Sequence, residues 1–450
     1  MRARNADGPL AVHAPLALFP SPYPRECYDL ALQLQPHFNN LVDRIARDSA
    51  FLDQVMARLE GVDEFTWRLF GIYRRVRANP SAQPVWMGFH RSDYMLHKPT
   101  SDSPGVLQQV EINTISSAFP SLSTRVSELH AHLSDRTQFF NASSSSTPDI
   151  HRSALPANNP LAGIAKALGT AWTLYGAPSS VVLMVVQPGE HNVYDQRWIE
   201  YKLFDTFGAK LIRKTLAEIA AEAKHVGDSR KLFIGETEIA VVYFRSGYAP
   251  GDHPTESEWT ARLVIEESYA VKCPPVAYQL AGTKKMQQVI AAPGVLEKFV
   301  DSPEIAALLR SSFTGLYPLD ESAEGVAAYE RALESPRNFV MKPQREGGGN
   351  NVYGDEIRAK LLELSPEERK AFILMDVIQP PPFKNALVRR GSVVTADVVS
   401  ELGIYGAYVT DGATVHVNEA AGHLLRTKTS DSNEGGVAAG FAVLDSPFLV

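Results

Sequence analysis

The segment Phe339-Val-Met-Lys-Pro-Gln-Arg-Glu-Gly-Gly-Gly-Asn-Asn-Val-Tyr353 combines a strand pattern, two cations, a carboxylate and three consecutive glycines. Phe339 and Met341 alternate as in a short strand, which delivers Lys342 and then Glu346 to a run of three glycines. Glycines let successive backbone N–H groups turn toward one point, a concavity suited to phosphate oxygens. A flanking lysine adds positive charge, and a glutamate can hold the magnesium that accompanies a nucleotide. Three glycines alone read as a hairpin tip; with Lys342, Arg345 and Glu346 beside them, phosphate binding is the stronger reading. No Gly-Lys-Ser/Thr follows the glycines, so the loop is not a Walker loop and implies a different nucleotide-binding architecture.

The rest of the chain bounds that architecture. At 450 residues the protein can bury a large core in about two or three domains. A formal charge of −7 argues against a dedicated nucleic-acid binder, and no apolar run reaches the length of a membrane span. Cys27 and Cys273 form neither a disulfide framework nor a metal-ligand spacing, which points to a reducing, cytoplasmic setting. The amino terminus is a poor signal peptide.

Between Asn39 and Glu60, apolar residues follow helical spacing from Leu41 to Leu59. Asn141–Pro148 reads as a serine-rich linker. The apolar run Val181–Val186, a helix over Arg197–Phe207 and a strand over Ala209–Ile212 make a strand–helix–strand unit, hence a parallel sheet. Ile239–Phe244 is a second strand of that sheet. Glu190–Asn192 and Arg245–Tyr248 follow the carboxyl ends of its strands, where ligands gather in open α/β sheets. Ser365-Pro-Glu-Glu368 starts a helix, and Pro380–Pro382 breaks structure.

Chemistry-bearing residues lie outside the glycine run as well. Glu111 and Asn113 share a face if extended, so both can offer oxygen to one cation together with Glu346. Arg91, Arg245 and Arg426 suit the forked recognition of carboxylates. Arg426 and Lys428 place two cations on one strand face, costly unless exposed or met by an anion. Asn433–Phe441 is a second small-residue loop, read as one that closes over substrate. There is neither a nucleophile elbow nor a zinc motif.

The segments Arg91–Met95, Glu111–Ser116, Gly282–Lys285, Lys342–Asn351, Ser400–Gly403, Leu425–Lys428 and Gly435–Gly440 occur in the order found in eukaryotic glutathione synthetases, and the chain resembles that family from about Leu16 onward. Phe244–Pro250 is similar to the plant and algal branch.

The resemblance implies an ATP-grasp fold of the α/β class, with a parallel-sheet substrate domain, a glycine-loop lid and a homodimer. The implied division is 1–175 for the first part of the main body, 176–283 for the substrate domain, 284–316 for a return to the body, 317–398 for the lid and 399–450 for the rest of the body. The implied reaction joins γ-glutamylcysteine and glycine with ATP.

Residue by residue, the resemblance gives magnesium to Glu111, Asn113 and Glu346. It gives ATP to Glu111, Lys284, Lys342, Glu346, Gly347, Gly348, Gly349, Asn350, Asn351, Tyr353, Met375, Asp376, Val377, Ile378, Glu401, Lys428 and Glu434. The dipeptide falls to Arg91, Ile115, Ser116, Ser117, Ala118, Glu190, His191, Asn192, Gln196, Arg245, Ser246, Gly247, Tyr248, Arg426, Val437 and Ala438. Arg426, Lys342 and Glu346 are the residues expected to stabilise the reacting groups. Glu434 stands where other members have an aspartate, and Ser246 likewise replaces an aspartate. Ala438 and Ala439 resemble the glycine-using form. The alternatives are a homoglutathione synthetase using β-alanine and a non-catalytic nucleotide sensor.

Overall fold

Four long strands position most of the charged side chains. The computed structural model describes residues 13–100, 102–137, 151–433, 435–437 and 440–450. Glu434, Ala438, Ala439 and the linker 141–148 lie outside the described residues. A seven-stranded sheet runs in the order Phe383–Arg389, Leu16–Ala17, Val443–Asp445, Val415–Thr429, Ser392–Thr410, Trp86–His97, Val106–Asn113. The last four pair antiparallel, so along each strand successive side chains face opposite sides.

One side, carrying Tyr94, Ile112, Leu402, Ile404 and Leu425, is buried beneath helices Arg25–Arg47, Glu64–Ala78 and Val276–Ala281. The other carries Met87, Phe89, Ala407, Val409 and Leu424 and packs on helix Pro160–Tyr175. Phe89 and Tyr405 stack on this side with ring centroids 5.3 Å apart. Farther along the same strands, this apolar face becomes charged.

A second sheet holds the expected strand–helix–strand unit as Val181–Val185, Val193–Phe207 and Leu211–Lys214. Leu211–Lys214, Val181–Val185, Thr237–Phe244 and Val271–Cys273 are parallel to their neighbours. A hairpin, Ala223–Val226 with Lys231–Ile234, joins the start of Thr237–Phe244 in antiparallel fashion. Every residue of Val181–Val185 is buried, which is why this strand reads as an unbroken apolar run. A third sheet is antiparallel, in the order Leu316–Pro318, Phe372–Asp376, Phe339–Pro343, Val352–Tyr353.

The helical region around 39–60 departs from the sequence expectation. It begins earlier, at Arg25, and breaks at Asp48, whose carboxylate accepts the Phe51 N–H and caps a new helix, Ser49–Met56. Apolar spacing runs through such a break because both helices bury the same side. Among the described residues no helix is long and apolar enough to cross a membrane.

Candidate active site

Arg91 and Asp93 continue the face that begins with Met87 and Phe89, because they lie an even number of residues along the same strand. Register sets their neighbours. Asp93 stands opposite Glu111 on one side and Gly403 on the other, and Glu401 stands opposite Arg426. The result is a lattice of opposite charges across four adjacent strands.

Asp93 is wholly buried, and its Oδ1 accepts from Arg91 Nε at 2.6 Å. Its Oδ2 accepts from Arg91 Nη2 at 2.8 Å, Arg426 Nη2 at 2.9 Å and Asn113 Nδ2 at 2.9 Å. Arg426 Nη2 also donates to Glu401. Burial works against the charge on Arg91 and Arg426, but Asp93 and Glu401 outweigh it and raise both above the ordinary arginine value. Burial pushes the Glu401 carboxyl up, with Arg426 opposing. Gly403 makes this packing possible, since a Cβ there would lie 2.6 Å from Asp93 Oδ1 and 2.7 Å from Arg91 Cδ.

The Glu111 end of the lattice meets a lysine. Gly282 packs against Thr114, and Thr283 caps helix Lys284–Ala291 by accepting the Met286 N–H, which brings Lys284 to the strand. Lys284 Nζ lies 3.1 Å from Glu111 Oε2 and 2.9 Å from Glu346 Oε1, bridging the two carboxylates. Burial would raise the Glu111 carboxyl, yet Lys284, Lys342 and Arg426 hold it below the usual carboxylate range. Burial, reinforced by Glu111, pushes the Glu346 carboxyl up to about 7 against the pull of Lys284.

Asn113 spends its amide hydrogens on Asp93 and the Arg91 carbonyl, leaving Oδ1 as its acceptor. Among the described residues no three His, Cys, Asp or Glu side chains form a metal cluster. The set is instead two carboxylates and an amide oxygen, all hard donors, which suits magnesium when phosphate and water complete its shell.

The glycine run connects the paired strands Phe339–Pro343 and Val352–Tyr353, so it is a hairpin tip as well as a cavity wall. Gly347 and Gly349 adopt positive φ of 86° and 94°, a conformation that side chains resist. Arg345 is held by Asp63 and so ties the loop to helix Glu64–Ala78 rather than standing free. Lys342 is buried, donates to the Val110 carbonyl at 2.9 Å and has its pKa lowered by burial.

Between the hairpin and the lattice lies a cavity of about 550 Å³. Arg91, Glu111, Asn113, Lys284, Lys342, Gly347, Gly348, Asn351, Tyr353, Met375–Ile378, Glu401, Arg426 and Lys428 all line it, as do Asn433, Gly435 and Gly436 of the second small-residue loop. Glu346 joins through Lys284, whereas Gly349 and Asn350 are not among the residues that line the cavity.

The expected dipeptide residues form a neighbouring group. Tyr405 Oη donates to the Ala118 carbonyl at 2.6 Å, and Ser116 Oγ donates to the Phe244 carbonyl at 3.2 Å. Glu190 accepts from the Asn192 N–H and from Gln196 Nε2, both at 2.6 Å. A Cβ on Gly347 would lie 3.6 Å from the Tyr248 ring, so the hairpin reaches this group. Ser117 Oγ, Asn192 Oδ1, Gln196 Oε1 and Arg426 Nε are buried without a partner among the described residues. Buried polar atoms ordinarily have a partner, which a polar ligand or a water can supply at these positions. Val437, by contrast, is buried in the apolar core beside helix Pro160–Tyr175, and His191 is exposed.

Sequence reasoning missed Asp93, although its spacing from Arg91 within a strand was a usable signal. It also missed Asp195, which has no such signal. Asp195 is wholly buried, accepts the Phe119, Ser121 and Leu122 N–H groups at the start of helix Pro120–Arg136, and takes Arg245 Nη1 at 3.0 Å. One carboxylate thus satisfies a helix terminus and orients an arginine.

The family model described as eukaryotic glutathione synthase, ATP binding domain, matches residues 1–449. The chloroplastic glutathione synthetase of Solanum lycopersicum is 45% identical over 452 aligned residues, covering 100% of this chain and 80% of that protein. The Homo sapiens glutathione synthetase is 44% identical over 441, covering 97% and 90%. Among solved structures, a glutathione synthetase-like effector from Globodera pallida in apo form superposes with a TM-score of 0.76 at 26% identity, covering 97% of this chain and 90% of that one. With the family model matching residues 1–449 and relatives 44–45% identical across nearly the whole of this chain, this protein belongs to the eukaryotic glutathione synthetase family.

Proposed function

We propose that this chain joins γ-glutamylcysteine to glycine at the expense of ATP, giving glutathione, ADP and phosphate. The observation that carries the reading is the meeting, in one cavity, of the glycine hairpin with the Arg91–Asp93–Arg426 lattice. The hairpin end suits polyphosphate, and the lattice end suits a carboxylate substrate.

A carboxylate is anionic and has no good leaving group. In our reading, the cysteinyl carboxylate attacks the γ-phosphorus of ATP and releases ADP. The glycine amine then attacks the acyl carbon of the resulting acyl phosphate, phosphate leaves with the bonding electrons, and the amine proton passes to solvent. Such chemistry needs positioning and charge stabilisation more than a protein nucleophile. Lys342 and Lys284 would face the phosphates, with the Gly347 and Gly348 backbone above them. Arg426 would anchor and neutralise the reacting carboxylate. Ser117, Asn192 and Gln196 would use their unpartnered atoms on the dipeptide. Glu111, Asn113 and Glu346 would hold magnesium, which when bound supplies charge neutralisation between phosphates. Water would hydrolyse the acyl phosphate, so the hairpin and the 433–441 loop are assigned the task of excluding it.

The wider reading keeps 317–398 as the lid, 176–283 as the substrate domain and 1–175, 284–316 and 399–450 as the main body, working as a homodimer in the cytosol. Sedimentation and a fluorescent fusion test the last two points. The deciding assay is phosphate release from ATP and magnesium with γ-glutamylcysteine and glycine, β-alanine or no acceptor, with products weighed by mass spectrometry. Release with glycine and a glutathione mass is the expected result. A β-alanine preference would change the product, and silence with each acceptor would overturn the ligase reading.

A further inference from the structure

Beneath the loop Arg245–Tyr248 lies a polar cluster that the ligation chemistry does not use. Arg262, on helix Glu256–Glu267, is wholly buried. Its Nε donates to Glu266 Oε1 at 3.0 Å and its guanidinium lies 4.2 Å from the centre of the Phe244 ring, while Nη1 and Nη2 have no partner among the described residues. Phe244 is the last residue of its strand, immediately before Arg245.

The space beside Gly247, where a side chain would stand, is bounded by this guanidinium. A Cβ there would lie 3.6 Å from Arg262 Nη1 and 3.7 Å from both Phe244 and His253. The Gly247 N–H donates to Asp252 Oδ2 at 3.0 Å, and its carbonyl accepts from Gln279 Nε2 at 3.1 Å. Gln279 Oε1, also buried, has no partner among the described residues either. Glu266 uses its second oxygen on the Val276 N–H, at 3.2 Å, at the start of the helix that carries Gln279 and leads on to Lys284.

Leaving a buried guanidinium half satisfied is costly, and anything that engages it is favoured accordingly. We propose that Arg262 is a positioning residue for the dipeptide: with Gln279 it forms a polar seat on which the Ser246–Gly247–Tyr248 turn settles, and that seating fixes Arg245 and Tyr248 against the substrate. Burial lowers the Arg262 pKa, in keeping with a cation short of partners. The inference rests on the assignment of Arg245–Tyr248 to γ-glutamylcysteine.

The test compares Arg262→Met, which keeps bulk, with Arg262→Lys, which keeps charge. The readouts are KM for γ-glutamylcysteine, KM for ATP and calorimetric binding of γ-glutamylcysteine. Misplacement of a positioning loop by about 1 Å costs up to about a hundredfold. Arg262→Met is therefore expected to weaken the dipeptide about tenfold or more while ATP stays within about twofold, and Arg262→Lys to recover part of the loss. A parallel rise in both KM values, or unchanged dipeptide affinity, overturns the inference. If Arg262→Met does not fold, Gln279→Met must give the same split, and its absence is equally decisive. Binding is read without turnover, so a chain that binds the dipeptide but does not ligate refutes the ligase reading and leaves this inference standing.

Discussion

Replacing Asp93 with asparagine removes the wholly buried one of two carboxylates that balance two guanidiniums at the wall of the cavity. In the native lattice, Arg91 and Arg426 face Asp93 and Glu401, and Asp93 accepts from both arginines and from Asn113. The amide side chain would keep the shape but lose the charge, and its NH2 would point a donor at other donors. Breaking a buried pair by removing one partner costs about 3–5 kcal/mol, far more than an exposed pair. We therefore expect Asp93→Asn to lose about 3–5 kcal/mol of unfolding free energy in urea. Saturating γ-glutamylcysteine should restore more stability to the variant than it adds to the native protein, because a ligand carboxylate can replace the missing charge. A loss below about 1 kcal/mol, the worth of a surface pair, would refute the reasoning. So would equal stabilisation of both proteins by the dipeptide.

Other perturbations probe the remaining parts. Glu346→Ala should lower turnover about a hundredfold and raise the magnesium needed for half-maximal rate; near-normal turnover with normal magnesium dependence would sink the metal assignment. Lys342→Met, which strips the buried ammonium from the cavity, should cost about a hundred- to thousandfold in kcat, measured by phosphate release. Gly403→Ala drives a Cβ to 2.6 Å from Asp93 Oδ1 and should weaken γ-glutamylcysteine more than ATP in calorimetry. His130, neutral between the Ala17 carbonyl and Ser446 Oγ, has its pKa pushed down to about 4 by burial. An unfolded histidine titrates near 6.5, so this contribution is full above that pH and is lost as pH falls from 6.5 toward 4, the loss amounting to about 2 kcal/mol at pH 5. Urea unfolding at pH 7 and 5 checks it: His130→Gln should shrink the difference by about that amount without abolishing it, because burial also pushes down His90, His253 and His423.

Local periodicity made much of this protein readable. Glu111 and Asn113 share a face because strands alternate, and Val181–Val185 reads as a parallel strand because both its faces are covered. The hairpin was legible from its glycines, including its cavity-facing role, but not the fastening of Arg345 by Asp63. That limit is general. Asp93 meets Arg426 from 333 positions away, Lys284 meets Glu346 from 62, and Asp195 meets Arg245 from 50. No local pattern carries such pairings, because strand order and register create them after the chain has folded. The family resemblance supplied the residues on each side of the site, Glu401 among them as a nucleotide residue, but not Asp93 and Asp195, the carboxylates that hold Arg91 and Arg245.

Those carboxylates explain how the site avoids a conflict between stability and use. An arginine waiting for an anionic substrate in a buried place would be destabilising if it waited alone. Here Asp93 and Glu401 keep Arg91 and Arg426 charged and in place without a ligand, so little would have to be reorganised for the carboxylate binding proposed for them. The pairing is incomplete at one atom: Arg426 Nε stays unpartnered among the described residues, while the space over Gly403 is taken by the Asp93 and Arg91 side chains themselves. The same arrangement recurs at Glu111 and Glu346, where Lys284 stands between two carboxylates that a metal ion would otherwise bring together. Both ends of the cavity thus pair their cations with internal carboxylates, so neither end depends on a ligand to keep its buried charges balanced.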